Sequence, residues 1–348
     1  MRILYGVQGT GNGHIARARA MCAAFKHEQI DVDFLFSGRD SDKYFGMDAF
    51  GDFRTRRGFT FVTNKGQVSY VKTALNNSPL HFWREVRALD LSSYDLVIND
   101  FEPVSAWAAK WQNKPTISIS HQNAFRYEVP LIGASWVDKC IVRYFAPGQR
   151  HIGLHWYHFN QPILPPIVHI DNEHTDAQSY VLVYLPFESL DDITDLLLRF
   201  ANQSFICYHP EIAISNENNN IQFAPLCLHG FHHHLNRCAG IIANGGFELP
   251  SEALTLGKKL LLKPLAGQFE QLSNVATLES LGLASCMEYL DASIVRNWLD
   301  EEPGEHVIYP DVASAIVEWI LNGEWDNTEQ LTEQLWGKVD FPSYAVNV

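Results

Sequence analysis

Residues 241–274 read IIANGGFELPSEALTLGKKLLLKPLAGQFEQLSN, and this stretch decides the fold. The apolar run from Gly240 to Ala243 suits a strand buried on both faces of a parallel sheet. Gly245-Gly246 breaks it at a point where backbone can approach a ligand closely. A helix should follow. Pro250 falls in or near its first turn, where a missing N–H costs nothing, and Leu249, Ala253, Leu254 and Leu256 supply a buried face. Gly257 ends the helix, Lys259 to Lys263 form a second apolar strand, and the outgoing loop carries Gln268, Glu270 and Gln271. In a parallel sheet both loops leave the same carboxyl edge.

This geometry predicts chemistry. N–H groups at Gly246 and Phe247, with the positive end of a helix behind them, form an anion site suited to a diphosphate. Glu252, inside the first turns, can accept two hydrogen bonds from a ribose diol, and Glu270 and Gln271 can serve a second polyhydroxylated group. Gly-Gly alone would be an ordinary strand-to-helix turn. Together with these side chains it points to a nucleotide sugar.

The order N-G-G-F-E-x-x-x-E-A-L-x-x-G-x-x-x-x-x-x-P-x-x-G-Q-x-E-Q-x-x-N, from Asn244 to Asn274, resembles the donor-binding region of nucleotide-sugar glycosyltransferases with the GT-B fold. It is most similar to the branch containing the lipid-II-forming N-acetylglucosaminyltransferase of peptidoglycan synthesis and the UDP-glucuronosyl/UDP-glucosyltransferases. The resemblance implies that Gly245 to Phe247 hold the diphosphate, Glu252 the ribose, and Gln268, Glu270 and Gln271 the sugar hydroxyls, with Asn274 closing the motif. Asn244 stands where many relatives carry His, so it offers a hydrogen bond without a charge. By the same analogy, backbone groups at Leu228 read a uracil edge, and a UDP-sugar is the expected co-substrate, with no further cofactor.

Composition narrows the class. At 348 residues, 46% hydrophobic and 12% aromatic, the chain can fill two domain cores. A formal charge of −14 argues against a nucleic-acid partner, whose binders concentrate Lys and Arg. The six cysteines form no C-x-x-C pair and read as reduced core thiols, which points to the cytosol. MRILYGVQG enters a strand directly, without the apolar segment of a signal peptide, and no run of about 18 uncharged apolar residues could span a bilayer. Peripheral membrane contact stays open, and Phe82 and Trp83, in the amphipathic stretch 80–91, are its candidates beside a plain core face of Leu80, Trp83, Val86 and Leu89.

The first half repeats the strand–glycine–helix pattern. Ile3 to Val7 reads as a strand, and Gly9 to His14, GTGNGH, as the turn into a helix bearing Ile15, Ala18, Met21, Cys22 and Phe25. The spacing of Gly9, Gly11 and Gly13 is not the G-x-G-x-x-G of dinucleotide binders. Strands at 34–36, 96–98 and 116–120 deliver Asp100 to Glu102 and His121 to Asn123 to the same carboxyl edge, so Gly11, Gly13, His14, Asp100, Glu102, His121 and Gln122 are the expected acceptor-side residues. In the resembling family a Gly-His loop of this kind faces the acceptor. His14 is the expected base, since an imidazole accepts protons near neutral pH, and Asp100 would orient its other nitrogen.

Residues 136–158 read as helical and aromatic-rich, and QPILPP at 161–166 marks a boundary. The second half then offers strands at 180–184, 204–208 and 221–223, with a crossover helix at 190–200. His232-His233-His234 reads as a helix start, because consecutive helical residues cannot converge on a metal as an i, i+4 pair can. The expected architecture is therefore α/β: two Rossmann-like doubly wound domains facing across a cleft, 1–160 on the acceptor side and 161–348 on the donor side, the last helix crossing back. The expected activity is metal-independent, inverting transfer from a nucleotide sugar to an unidentified hydroxyl acceptor. A nucleotide-sugar 2-epimerase of the same fold and a noncatalytic sugar-nucleotide-binding protein are the alternatives.

Overall fold

Ile3, Leu4, Tyr5 and Val7 are all fully buried, so both faces of the first strand are covered, as the centre of a parallel sheet requires. In this computed structural model residues 1–44, 46–59, 63–64, 67–68, 78–168, 178–323 and 325–345 are described. The chain divides into two units. The first comprises Met1–Asn64, Val68–His169 and Tyr309–Val339; the second comprises Lys65–Gln67, Ile170–Ile308 and Asp340–Val348.

In the first unit the elements run β1 (Arg2–Gln8), α1 (Asn12–His27), β2 (Asp31–Ser37), β3 (Arg54–Arg56), α2 (Pro79–Ala88), β4 (Leu96–Asp100), α3 (Pro103–Trp111), β5 (Thr116–Ser120), α4 (Trp136–Tyr144), β6 (Arg150–Leu154) and β7 (Ile163–Leu164). The strands pair in the order β3-β2-β1-β4-β5-β6-β7, and every pair is parallel. Helices α2 and α3 cover one face through Phe82, Val86, Val104 and Ala108, packed on Leu4, Leu35 and Val97. The buried stripe of α2 is Phe82 and Val86, continued by Leu89, whereas Leu80 is 76% exposed. Of the expected core face Leu80, Trp83, Val86 and Leu89, the last two are buried as expected, while Phe82 takes the inward place at the start of the helix and Leu80 and Trp83 face outward. Phe82, only 5% exposed and ring-packed on Phe59, is a core residue and has no surface to offer a membrane.

Two expectations on this stretch fail for physical reasons. The passage 136–158 is helical only as far as Tyr144, and Arg150–Leu154 forms β6 instead, its strand character hidden by two polar residues and a glycine. The proline-rich segment does not open the second half at 161: Ile163–Leu164 lies beside β6 as an edge strand of the first sheet, where missing N–H groups are tolerated.

In the second unit the elements are β8 (Val181–Tyr184), α5 (Leu190–Leu197), β9 (Phe205–Tyr208), β10 (Asn216–Asn218), β11 (Ile221–Ala224), α6 (Leu228–Arg237), β12 (Gly240–Asn244), α7 (Glu248–Thr255), β13 (Lys259–Lys263), α8 (Phe269–Ser280), β14 (Ser285–Cys286) and α9 (Ala292–Leu299). Their order is β10-β11-β9-β8-β12-β13-β14, parallel except for β10 at the edge. Without that edge strand, the succession is the same third-second-first-fourth-fifth-sixth order that begins the first sheet. Helices α5 and α9 bury Ile193, Leu196, Val295 and Trp298 on Val181, Val183, Phe205 and Ile242. After Ile308 the chain returns to the first unit as α10 (Val312–Asn322) and α11 (Glu329–Trp336). There α10 packs on α1 and α11 on β7, and the Trp336 indole donates to Ile163 O at 2.7 Å. Among the described residues no helix is long and apolar enough to cross a membrane. The six cysteines are free, but only Cys22, Cys207 and Cys238 are buried, so the expected core thiols number fewer than the sequence pattern implied.

Candidate active site

In each unit the strand order reverses direction once, and connections leaving neighbouring strands to opposite sides open a crevice at their carboxyl ends. In the first unit the reversal lies between β1 and β4. The loop after β1 leads into α1, whose first turn carries His14, and β4 ends on Asp100. His14 Nδ1 lies 2.8 Å from Asp100 Oδ1. Asp100 is fully buried and takes two further hydrogen bonds from one guanidinium: Arg17 Nε donates to Oδ2 at 2.8 Å, and Nη2 to Oδ1 at 2.9 Å. Burial alone would raise the Asp100 carboxyl, but the Arg17 guanidinium and then His14 outweigh it and hold the group below its ordinary value. Arg17 Nη2 also lies 3.1 Å from Nδ1, but the shorter contact is to an ionised carboxylate, which only accepts and so assigns the hydrogen to Nδ1 and the lone pair to Nε2. That is the tautomer a general base needs.

Local backbone explains how Asp100 is aimed. The next residue, Phe101, has φ 54°, a left-handed conformation costing a non-glycine residue about 1–2 kcal/mol. It persists because Asn99 brackets the turn: its side-chain amide donates to Glu102 O, and its Oδ1 accepts the Glu102 N–H at 3.3 Å. Phe101 then packs on Phe145. Strain held beside a buried carboxylate is a recurrent mark of functional sites. The glycine loop ahead of α1 is held in turn by Arg39, which donates to Gly9 O and to Asn12 Oδ1 at 3.2 Å. Gly11 caps α1 in extended conformation, a Cβ there would meet nothing, and Gly13 follows on the half-exposed first turn.

Three expected acceptor-side residues belong to the interior instead. Glu102 is fully buried. It caps α3 by accepting from Val104 N at 2.8 Å and Ser105 N at 2.6 Å, and Ser37 Oγ donates to it at 2.6 Å. Burial pushes its carboxyl up, against those three hydrogen-bonding partners. His121 and Gln122, 1% and 7% exposed, lie in a 3-10 turn over His121–Arg126. The His121 ring contacts Leu154 O at 2.8 Å and packs against Phe125, His155 and Trp156. The turn folds them back over β6, so a position just past a strand end did not make them accessible. Arg17 is the residue the sequence reading missed. Its spacing of three from His14 on one helix was the available signal.

In the second unit the reversal lies between β8 and β12, and β12 ends at Asn244-Gly245-Gly246. A Cβ on Gly245 would lie 2.7 Å from Val275 Cγ2 and 2.9 Å from Gln271 O, so glycine is required by the approach of α8, whereas Gly246 faces open space. The Gly246 N–H, expected to point outward, donates to Asn244 O at 2.9 Å instead. The tight turn consumes it, and an anion at this helix end falls to the first-turn N–H groups of α7 from Phe247 onward. Asn274, expected to touch the donor, is fully buried and donates to Gly245 O at 3.0 Å, pinning the turn. Gln268 caps α8 by accepting from Gln271 N at 2.7 Å, and Gln271 Oε1 accepts from Leu265 N at 2.9 Å. Asn244 donates to Lys263 O at 3.0 Å. Glu252 is buried on α7, Glu270 is half-buried on α8, and Leu228 opens α6 at the same sheet edge. One turn along the same helix from Leu228, Phe231 packs its ring on Tyr184 and on Tyr208, with centroids 5.3 and 5.2 Å apart.

Two doubly wound sheets of one strand order, the first with a His–Asp pair and the second with a Gly-Gly helix turn at its point of reversal, define a glycosyltransferase of the GT-B class. The chain belongs to glycosyl transferase family 1, whose model matches residues 1–303. Among solved structures it is similar to the glycosyltransferase SnogD from Streptomyces nogalater, at 15% identity over 97% of this chain and 99% of that one, with a TM-score of 0.55. It is also similar to the glycosyltransferase VinC in complex with dTDP, at 13% identity, 97% and 99% coverage and a TM-score of 0.51. MurG of Acinetobacter baumannii matches at 14% identity, with 97% and 99% coverage and a TM-score of 0.50. At these identities the likeness is one of fold. Among curated proteins none matches the chain in sequence.

Proposed function

We propose that the protein transfers a sugar from a nucleoside diphosphate sugar, UDP-linked, to a hydroxyl acceptor, with inversion and without a metal. The observation supporting this reading best is the His14–Asp100 pair, buried on the carboxylate side and held by Arg17. His14 Nε2 takes the proton of the acceptor hydroxyl as the oxygen attacks the anomeric carbon. The bond to the diphosphate breaks on the opposite face, and the first turn of α7 meets the departing charge. The imidazolium that forms is stabilised by ionised Asp100 through Nδ1. On the donor side Glu252 is assigned to the ribose diol, Glu270 and Gln271 to the sugar, and the α6 terminus at Leu228 to the pyrimidine. VinC, of the same fold, was solved with dTDP, which makes dTDP the natural comparison ligand.

The test combines two variants. His14→Ala is expected to keep its melting temperature and UDP affinity while turnover falls about 10²–10⁴-fold. Glu252→Ala is expected to weaken UDP roughly tenfold to a hundredfold, the loss of one charged hydrogen-bonding group. UDP release and calorimetry read both, and chelator should change neither. Full turnover in folded His14→Ala would remove it from the mechanism, and a strict requirement for added Mg²⁺ or Mn²⁺ would overturn the metal-free reading.

A further inference from the structure

An ion pair sits at the carboxyl edge of the second sheet, and the chemistry above leaves it without a role. Lys263, the last residue of β13, brings Nζ to 2.7 Å from Glu188 Oε1. Glu188 lies in the turn between β8 and α5, and the strands run β8-β12-β13. The pair therefore spans the carboxyl end of β12, where Asn244 leads into Gly245-Gly246. Both side chains are largely covered, 10% and 17% exposed. The turns that leave this edge, at 185–189, 209–215, 225–227, 245–247, 264–268 and 287–291, contain no Lys or Arg. Acidic groups gather here instead, with Glu188, Glu248 and Glu252 all close to the Gly-Gly turn in sequence or in space. An anion with two negative charges would meet repulsion here unless one cation were available, and among the described residues Lys263 is the cation at this edge. At the same strand end Asn244 Oδ1 is buried with no hydrogen-bond partner among the described residues, and the face of Gly246 is open.

We propose that Lys263 receives the donor's diphosphate and that Glu188 is its internal stand-in, displaced when the diphosphate arrives. This rests on the reading of the second unit as the donor-binding unit. A carboxylate presents to an ammonium the same oxygen geometry as a phosphate edge, so the exchange replaces one charge-assisted pair by another and never strands a desolvated lysine. Glu188 belongs to a short turn beside exposed Phe187, from which its carboxylate can move into water. The stand-in keeps a buried ammonium paired while the site is empty, and it sets a threshold: ligands lacking a diphosphate do not release it.

The experiment titrates UDP by calorimetry and uridine by ligand-observed NMR against wild type, Lys263→Met, Glu188→Gln and the double variant. Lys263→Met is expected to weaken UDP about tenfold to a hundredfold and leave uridine unchanged. Glu188→Gln is expected to tighten UDP several-fold, because the competing carboxylate is gone. The double variant carries no stranded charge, so it reads the loss of Lys263 even if the single variant folds poorly, and it should bind UDP as weakly. Wild-type UDP affinity in folded Lys263→Met or in the double variant overturns the assignment of Lys263 and leaves the donor reading standing. Weaker UDP binding in Glu188→Gln overturns the stand-in. A wild type that binds neither UDP nor dTDP overturns the donor reading and this proposal with it.

Discussion

A guanidinium that is 2% exposed must be fully paired, and Arg17 meets that demand with a two-point grip on Asp100. Removing it leaves a buried carboxylate with His14 Nδ1 as its remaining side-chain partner. Arg17→Met should therefore cost about 3–5 kcal/mol, the usual penalty for breaking a buried pair from one side. The pH dependence has a definite sign. Because the folded Asp100 carboxyl is held below its ordinary value, its stabilisation is complete above the unfolded value of about 3.9 and disappears as pH falls through the lower folded value. The difference in unfolding free energy between wild type and Arg17→Met should then be widest at neutral pH and close in acid. Arg17→Lys keeps the charge but loses the fork, and should recover part of both stability and turnover. Thermal unfolding from pH 3 to 8 reads the first effect, and the acid limb of the turnover profile the second. His14 and Asp100 were legible because a glycine turn and a strand end announce themselves. Glu102 and His121 were not told apart from them, since residue type does not reveal which way the chain turns past a strand end: the 3-10 turn at His121–Arg126 folds His121 inward, and a second turn decides the direction after Asp100. There Phe101, in its left-handed conformation, sends Glu102 to the interior.

Elements buried on both faces gave the clearest signal: the strands at 116–120 and 259–263 were read with the bounds they have. Arg54–Arg56 escaped because a sheet edge tolerates polar residues, and Arg150–Leu154, though paired on both sides, because Arg150, His151 and Gly153 interrupt its apolar run. On α2 Val86 and Leu89 were read correctly, but Leu80 and Trp83 were taken for the inward residues in place of Phe82, because they are as apolar as the residues that are buried. The Gly-Gly turn illustrates how two adjacent glycines serve different ends. Gly245→Ala would press a methyl into Val275 and the Gln271 carbonyl, and overpacking of this kind costs about 1–3 kcal/mol. Gly246→Ala meets open space and should change stability by no more than about 0.5 kcal/mol, while crowding the approach of a diphosphate. Melting temperature should therefore fall for the first variant, and UDP affinity should fall for the second with stability intact. Equal behaviour of the two would show that the turn is only a packing device.

The first unit is assembled from segments far apart in the chain, since α10 packs on α1 and α11 on β7. A chain ending after Ile308 should keep the second sheet but expose the α1 face that α10 covers. Amide exchange in α1 should then rise toward that of an open helix while β12 and β13 stay protected, and equal protection of α1 in both chains would contradict it. The same feature bears on biosynthesis. The ribosome completes α1 by residue 27 and does not reach α10 until residue 312. At about 5–20 residues per second, the first helix waits roughly 15–60 s for its cover. Throughout that interval the nascent protein has an unsheathed apolar surface, the kind that holding chaperones recognise, so the unit that begins first is obliged to mature last.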